Sequence, residues 1–296
     1  MQIKIEAILK KKRRFLWAVA AGLTGAAVLL GFGMSGTLSA RVRAAGAHAA
    51  SDPQEPAIPE VAWKAPNPST IPPGKLGDSI RLGLNIMNNT PKYAHRYVAN
   101  KMNCSDCHVN QGTQPYASPL AGITTVFPAY TKRDGRVITI EHRIQECFER
   151  SENGAPPPSD SPEMVAMVAY MNWLSRGIPM GSTVKGRGLL KFTPPSHVDP
   201  TAGAKIYAQQ CQVCHGVNGQ GIAGMFPPLW GPGAFNDGAG MSKIAKMAAF
   251  VKANMPKTKP GSLSVQQSYD VAAFVTAKPR PHFKSSQSAS HNRGRK

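Results

Sequence analysis

Acidic residues are scarce in this sequence, with 16 Asp and Glu against 35 Lys and Arg and a formal net charge of +19. Aromatic residues are also few, at 7%. Residues 1–49 contain eight Lys or Arg and one acid, and residues 277–296 contain six Lys or Arg and no acid, which leaves +6 for the rest. A nucleic-acid surface combines basic and aromatic side chains on a folded domain. We therefore expect no nucleic-acid partner, and the mildly positive remainder favours a small anionic substrate.

Cysteine is scarce as well, and four of the five cysteines lie in two copies of Cys-x-x-Cys-His, at 104–108 and 211–215. This use of the cysteines excludes a disulfide scaffold. In the motif, two thiols bond to the haem vinyl groups and the adjacent imidazole binds the iron. Chance or a zinc knuckle is the alternative, but two matches in one exported chain disfavour it. The sequence therefore predicts two haem c groups, with attachment through Cys104, Cys107, Cys211 and Cys214 and with His108 and His215 as proximal ligands.

The N-terminus has the pattern of an export signal. Basic residues up to Arg14 precede an uncharged apolar run at 15–34, and a small-residue stretch at 44–50 contains Ala-His-Ala. These features predict a cleaved signal peptide over residues 1–49. The apolar run is also long enough to span a bilayer, so an N-terminal membrane anchor remains the alternative. Either interpretation locates the rest of the chain in the periplasm.

Two similar helical units are expected after the signal, in a loop-rich chain with 26 Pro and 28 Gly. An amphipathic segment precedes each haem motif, and Ser161-Pro162 and Ser264 with Gln267 begin a closing helix in each half. We predict an all-α fold of two tandem domains that resemble class I cytochrome c. The predicted segments are a Pro-rich leader (50–76), a first domain (77–181), a linker (182–198), a second domain (199–281) and a basic disordered tail (282–296).

The distal iron ligand of the second haem is predicted to be Met255. It precedes Pro256 at the end of a helix-like segment, 242–253, which resembles the position of the thioether ligand in class I cytochromes. Met241 and Met247 fit better as packing residues. The first domain has no comparable Met-Pro site, and its methionines at 164, 167 and 171 recur at the spacing of a helix core. His95, His142 and Cys147 are all candidate ligands there.

Cys147 is the cysteine that haem attachment does not use, and it lies in a predicted helix at 139–151. Arg143, Cys147 and Ser151 stand at i, i+4 and i+8 and therefore share one helix face. A guanidinium beside a thiol favours the thiolate and offers forked donors to an oxyanion. These residues indicate an anion site, although a simple buried thiol remains the alternative.

The segments Arg133-Asp-Gly-Arg and 143–154, with Cys-Phe-Glu-Arg-Ser at their centre, resemble the thiosulfate dehydrogenase family of dihaem cytochromes c. The resemblance covers about 77–281. It implies that Cys147 is both the distal ligand of the first haem and the catalytic thiol. It also implies that Arg133, Arg143 and Ser151 bind the substrate and that Met255 ligates the second haem. Some relatives have Lys beside this Met; Asn254 stands here, so Lys/Met ligand switching is not expected.

The implied reaction joins two thiosulfate ions into tetrathionate. Two electrons then leave through the second haem to an external acceptor such as another cytochrome c. Three alternatives remain open at this point. The chain could be a dihaem electron carrier without its own catalysis, or a tetrathionate reductase that uses the same site. It could also be another sulfur-oxidising cytochrome, in which Cys147 carries a persulfide.

Overall fold

The computed structural model describes residues 57–284 of the chain. The predicted signal or anchor, its apolar run at 15–34, the start of the leader and the tail from 285 onward lie outside these residues. In the described part no helix is both long enough and apolar enough to cross a bilayer. Its α-helices are α1 (Gly74–Asn88), α2 (Thr90–Tyr93), α3 (Cys104–Cys107), α4 (Val109–Gly112), α5 (Ile140–Arg150), α6 (Pro162–Leu174), α7 (Pro200–Gln210), α8 (Gln212–His215), α9 (Ile244–Asn254) and α10 (Val265–Thr276).

The first helical unit is built on the packing of α1 against α6. Helix α6 begins as the sequence predicts, because the Ser161 hydroxyl accepts a hydrogen bond from the Met164 N–H at 3.2 Å and Pro162 occupies the first turn. The three methionines at 164, 167 and 171 are buried in the core between these helices, as their spacing predicts. Helix α6 ends at Leu174.

The second unit repeats this plan, with α7 and α9 both packed against α10. Ser264 and Gln267 form the predicted capping box, in which each side chain accepts a hydrogen bond from the other residue's backbone N–H. Met247 is buried in the core and Met241 packs against it, in agreement with their interpretation as packing residues. Each unit therefore encloses its own hydrophobic core beside one Cys-x-x-Cys-His motif.

The expectation of an all-α chain needs a small correction, because four short strands are present in residues 57–284. Part of the Pro-rich leader forms β1, which pairs in parallel with β4 inside the predicted linker. This pairing joins the leader to the segment that follows the first unit. A two-residue strand has too few alternating positions to be recognised from the sequence. The strands are β1 (Glu60–Val61), β2 (Ala129–Thr131), β3 (Arg136–Ile138) and β4 (Thr183–Val184), with β2 and β3 antiparallel.

The beginning of the predicted disordered tail is also ordered against the protein. The backbone N–H of Phe283 donates to the Asp237 carboxylate at 2.8 Å, and His282 contacts the same carboxylate at 2.5 Å. The Arg150 guanidinium lies over the Phe283 ring, with its Cζ 4.6 Å from the ring centroid. His282 and Phe283 of the predicted tail thus contact the folded part of the chain, through a carboxylate of the second unit and a cation of the first.

Contacts between the two units concentrate at the C-terminal end of α5. The Asn236 side chain donates to the Glu149 carbonyl at 2.8 Å, and its backbone N–H donates to the Arg150 carbonyl at 3.0 Å. Asn100 donates to the Ser151 carbonyl at 2.7 Å and to the Ala234 carbonyl at 3.3 Å. The carbonyl groups of Glu149 and Arg150, at the end of the helix, are thus bonded across the contact between the units.

Candidate active site

Helix α5 carries Cys147 and forms over the predicted residues. The Thr139 hydroxyl caps its N-terminus by accepting a hydrogen bond from the His142 N–H at 3.3 Å. Ile144 and Phe148 are buried on one side and hold the helix against the core of the first unit. The adjacent face, which carries Cys147, therefore points into a cavity beside the first Cys-x-x-Cys-His motif.

That cavity has a volume of about 310 Å³, and its lining has the residue types that a haem c site needs. Both attachment cysteines and His108 line it on one side, and Cys147 lines it as well. Most of the remaining wall is apolar, as a porphyrin requires. The apolar residues of the wall are Met87, Met102, Leu120, Ile123, Phe127, Ile140, Ile144, Phe148, Met167 and Met171.

The imidazole of His108 is oriented for metal binding. Its Nδ1 lies 2.6 Å from the Ser118 carbonyl oxygen, so Nδ1–H donates and Nε2 keeps its lone pair. The Cys147 thiol is close enough to this imidazole that the contact lowers the thiol's pKa. His108 and Cys147 therefore share the cavity and lie close to each other within it.

Cys147 differs electrostatically from the attachment cysteines. Burial raises the pKa of Cys104 and Cys107, and raises the pKa of Cys211 to about 11. Burial acts on Cys147 in the same direction, but the Arg143 charge and the His108 contact outweigh it and lower the pKa to about 7. The site thus favours the thiolate, the form that binds metals and acts as a nucleophile.

The predicted anion-binding residues fall into two groups. Arg143 and Ser151 line the cavity with Cys147, and Arg143 Nη1 lies 3.5 Å from Cys147 Sγ. Arg133 lies in the turn between β2 and β3 and is not in the cavity wall. It reaches Arg143 indirectly, because both guanidinium groups contact the Glu146 carboxylate. Helix α5 and its C-terminal cap thus bring together Arg143, Cys147 and Ser151. The β2–β3 hairpin supplies Arg133, the fourth predicted residue.

The alternative ligands of the first haem lie elsewhere. His95 is exposed, and His142 faces Asp134, with its Nε2 3.6 Å from the carboxylate. Neither histidine lines the cavity. Cys147 is therefore the candidate that shares the cavity with His108.

The second motif has a matching histidine. His215 Nδ1 lies 2.9 Å from the Pro227 carbonyl oxygen, which again leaves Nε2 available. Met255 is half-buried and ends α9, and its N–H donates to the Val251 carbonyl at 2.9 Å. The neighbouring Asn254 donates to the Tyr116 carbonyl of the first unit at 3.2 Å. The position of Met255 at a helix end is the one expected from the sequence.

Comparison with known proteins decides the family. The profile described as "SoxA/TsdA, cytochrome c domain" matches residues 92–180, and "Cytochrome C oxidase, cbb3-type, subunit III" matches 198–275. The thiosulfate dehydrogenase of Allochromatium vinosum is 42% identical over 234 residues, which cover 76% of this chain and 87% of that protein. The Psychrobacter arcticus enzyme is 41% identical, over 74% and 68% of the two chains. The chain belongs to the thiosulfate dehydrogenase family.

The solved structure of a thiosulfate dehydrogenase, TsdBA from Marichromatium purpuratum, is also similar, with a TM-score of 0.72 and 36% identity. The match covers 79% of this chain but 53% of that one, so the chain spans about half of the TsdBA length. The family resemblance read from the sequence is confirmed, as is the expectation of an enzyme of this class. Two cytochrome c domains are present, and such domains bind haem c covalently.

Two buried carboxyl groups near Cys147 were not predicted from the sequence. Glu146 has a side chain 5% exposed and contacts three arginines. Its spacing from Arg143 and Arg150, three and four residues away on the same helix, was an available signal. Glu152 lines the cavity and is 3% exposed, and burial raises its pKa. Among residues 57–284 its Oε2 has no hydrogen-bond partner.

The second domain brings further positive charge toward the same arginines. Lys246 lies in the first turn of α9. Burial, and then the charges of Arg133 and Arg143, lower the pKa of Lys246. Positive charge from both domains therefore converges near Cys147, which is the surrounding that a small dianion needs.

Proposed function

We propose that this chain oxidises two thiosulfate ions to tetrathionate at Cys147. The observation that carries the proposal is the position of this thiol. It lies in one cavity with His108 and the first attachment cysteines, and Arg143 Nη1 is 3.5 Å from its sulfur. A sulfur nucleophile, a cation and a redox cofactor site are what the reaction requires in one place.

Each motif would hold one haem c, which supplies the one-electron acceptors for the reaction. Cys104 and Cys107 would attach the first, with His108 and Cys147 as its iron ligands. Cys211 and Cys214 would attach the second, with His215 and Met255 as its ligands, and His/Met ligation would raise its potential and suit onward transfer. The lowered pKa of Cys147 and the lone pair kept on Nε2 of each histidine support this ligand set.

The thiolate of Cys147 forms an S–S bond to the outer sulfur of a first thiosulfate, and two electrons are released in this step. The outer sulfur of a second thiosulfate then attacks the outer sulfur of the adduct. This attack breaks the bond to Cys147, regenerates its thiolate and releases tetrathionate. In the first step a thiolate and a dianion combine into an adduct that carries a single negative charge, and the two released electrons carry the remaining charge. The second step is a substitution, in which no electrons are released.

Arg143, Arg133 and Ser151 bind the oxyanion groups in this scheme. Two dianions and a thiolate repel one another, and fixed cations offset that repulsion at the point of attack. The side chains of Arg133 and Arg143 are 35% and 39% exposed, so they remain accessible to an incoming ion. Arginine suits this role because its forked donors match a sulfonate edge.

The proposal includes the periplasm as location, supported by the export pattern of residues 1–49, with 15–34 as an anchor if the signal is retained. The electrons then pass to an external acceptor, such as another cytochrome c. The same site could also run in reverse as a tetrathionate reductase. In that case the wild-type protein would reduce tetrathionate to thiosulfate faster than it forms tetrathionate.

The test replaces Cys147 with Gly in the complete dihaem protein. Both haems should remain attached, while the low-spin thiolate signal in electron paramagnetic resonance and tetrathionate formation from thiosulfate should both disappear. Cys147→Ser is the companion variant, because it keeps a small polar side chain and removes only the sulfur. It should lose tetrathionate formation as well. If Cys147→Gly forms tetrathionate at the wild-type rate, the plain electron carrier becomes the better interpretation.

A further inference from the structure

Glu146 is a buried carboxylate in contact with three guanidinium groups, directly before Cys147 in the sequence. Its Oε1 lies 3.0 Å from Arg133 Nη1 and 2.5 Å from Arg150 Nη1, and its Oε2 lies 3.3 Å from Arg143 Nη1. Both carboxylate oxygens are therefore used. A buried carboxylate is tolerated only when it is paired in this way.

A negative charge at this place is unfavourable for binding dianions. It opposes the attraction that Arg133 and Arg143 exert, and it also repels the Cys147 thiolate. Simple charge complementarity would therefore select a neutral residue here. The presence of the carboxylate needs a reason other than attraction of the substrate.

The geometry supplies that reason. Arg133 and Arg143 come from a hairpin turn and a helix, and both side chains are more than one third exposed. A free arginine side chain loses rotamer entropy when it is fixed. Glu146 contacts one Nη1 of each group and leaves the other donors available for a ligand. The same Arg143 Nη1 is 3.5 Å from Cys147 Sγ, so the carboxylate fixes the cation next to the reactive sulfur.

Arg150 is the third cation on this carboxylate and shares Oε1 with Arg133. Its side chain is 17% exposed, less than those of the other two arginines, and its guanidinium stacks on the Phe283 ring. Arg150 therefore neutralises Glu146 without facing the open part of the site. The net result is one carboxylate with three fixed cations, two of which remain free to bind anions.

We propose that Glu146 is a positioning residue, which aligns the guanidinium groups of Arg133 and Arg143 for the oxyanion groups of the substrate beside Cys147. This inference rests on the proposed function, because it assumes that the two arginines bind thiosulfate. It assigns no chemical step to Glu146.

Steady-state kinetics of Glu146→Gln in the full dihaem protein test the inference. The substitution keeps the shape of the side chain and removes its charge. We expect the KM for thiosulfate to rise about tenfold or more, with kcat within about threefold of wild type, because misaligned arginines lose charge-assisted contacts. Glu141→Gln, in the first turn of the same helix, is the matched control and should keep both constants.

A double-mutant cycle separates positioning from a general structural effect. Arg143→Ala should raise the KM strongly in the wild-type background but by less than about threefold in Glu146→Gln, because the arginine is then already misaligned. Haem content should stay unchanged in all these variants.

The inference is overturned if Glu146→Gln has a wild-type or lower KM, the result expected from removing a repelling charge, or if only kcat falls. Should Glu146→Gln fail to fold, Glu146→Asp provides the same test. Its charge is kept but its reach is shorter, so a wild-type KM in that variant would also overturn the inference. A wild-type protein without thiosulfate oxidation would instead contradict the proposed function. The two failures are therefore distinguishable.

Discussion

Replacement of Gly203 by Ala should destabilise the protein through the crossing of α7 and α10. A Cβ atom at Gly203 would lie 2.0 Å from the Asp270 carbonyl oxygen, 2.4 Å from its carbonyl carbon and 2.9 Å from the Val271 nitrogen. All three atoms belong to the backbone of α10, so no side chain can rotate away. An ordinary contact needs 3.4 Å or more, and the two helices must therefore separate by about 1 Å.

Two opposing effects determine the size of the change. Ala favours the helix over Gly by about 1 kcal/mol. Overpacking costs about 1–3 kcal/mol and occasionally more, and a gap of about 1 Å forfeits up to half of each dispersion contact along the crossing. The cost of overpacking should lie at the upper end of this range, because the contacting atoms are all backbone atoms and no side chain can move aside. We expect a net loss of about 2 kcal/mol in the free energy of unfolding, or a Tm lower by about 4–8 °C.

The assay is thermal unfolding of the dihaem protein, followed by far-ultraviolet circular dichroism. Gly233→Ala is the control, because the nearest atom to its added Cβ would be Pro228 Cγ at 3.7 Å. That variant should stay within about 0.5 kcal/mol of wild type. A Gly203→Ala protein that melts at or above the wild-type temperature would refute the close approach of the two helices.

Two further predictions concern the proposed ligands and substrate contacts. Arg143→Ala or Arg133→Ala should raise the KM for thiosulfate or lower turnover by about tenfold or more, which corresponds to a lost charge-assisted contact, while haem content and Tm change little. Loss of folding with unchanged kinetics in the folded fraction would make these arginines structural. Met255→Gly should remove the near-infrared band of thioether ligation with both haems still attached. Survival of the band in that variant, with its loss in Met241→Gly, would reassign the ligand.

Features that are encoded within one helix or one motif could be predicted from the sequence. Cys-x-x-Cys-His is complete in five residues, and the 3.6-residue period alone aligns Arg143, Cys147 and Ser151 on one face. All three side chains line the cavity in the structure. Thr139 and Ser161 cap their helices as their residue types suggest.

Features that join distant parts of the chain could not be predicted in this way. The contact of Arg133 with Glu146 depends on the β2–β3 hairpin, whose strands have three residues each. Asn236 binds a carbonyl group 87 positions earlier, and no local pattern marks an asparagine for that role. The pairing of β1 with β4 likewise depends on where two short segments meet after folding.

Met102 has a consequence for the movement of electrons. It belongs to the first domain, two residues before Cys104, yet it is 3% exposed within the core of the second domain. The adjacent Lys101 N–H donates to the Gly233 carbonyl at 3.2 Å. The chain segment that enters the first attachment motif is thus fixed to the other domain. Electrons that pass between cofactors held at the two motifs would therefore cross a contact that contains a buried side chain and a backbone hydrogen bond.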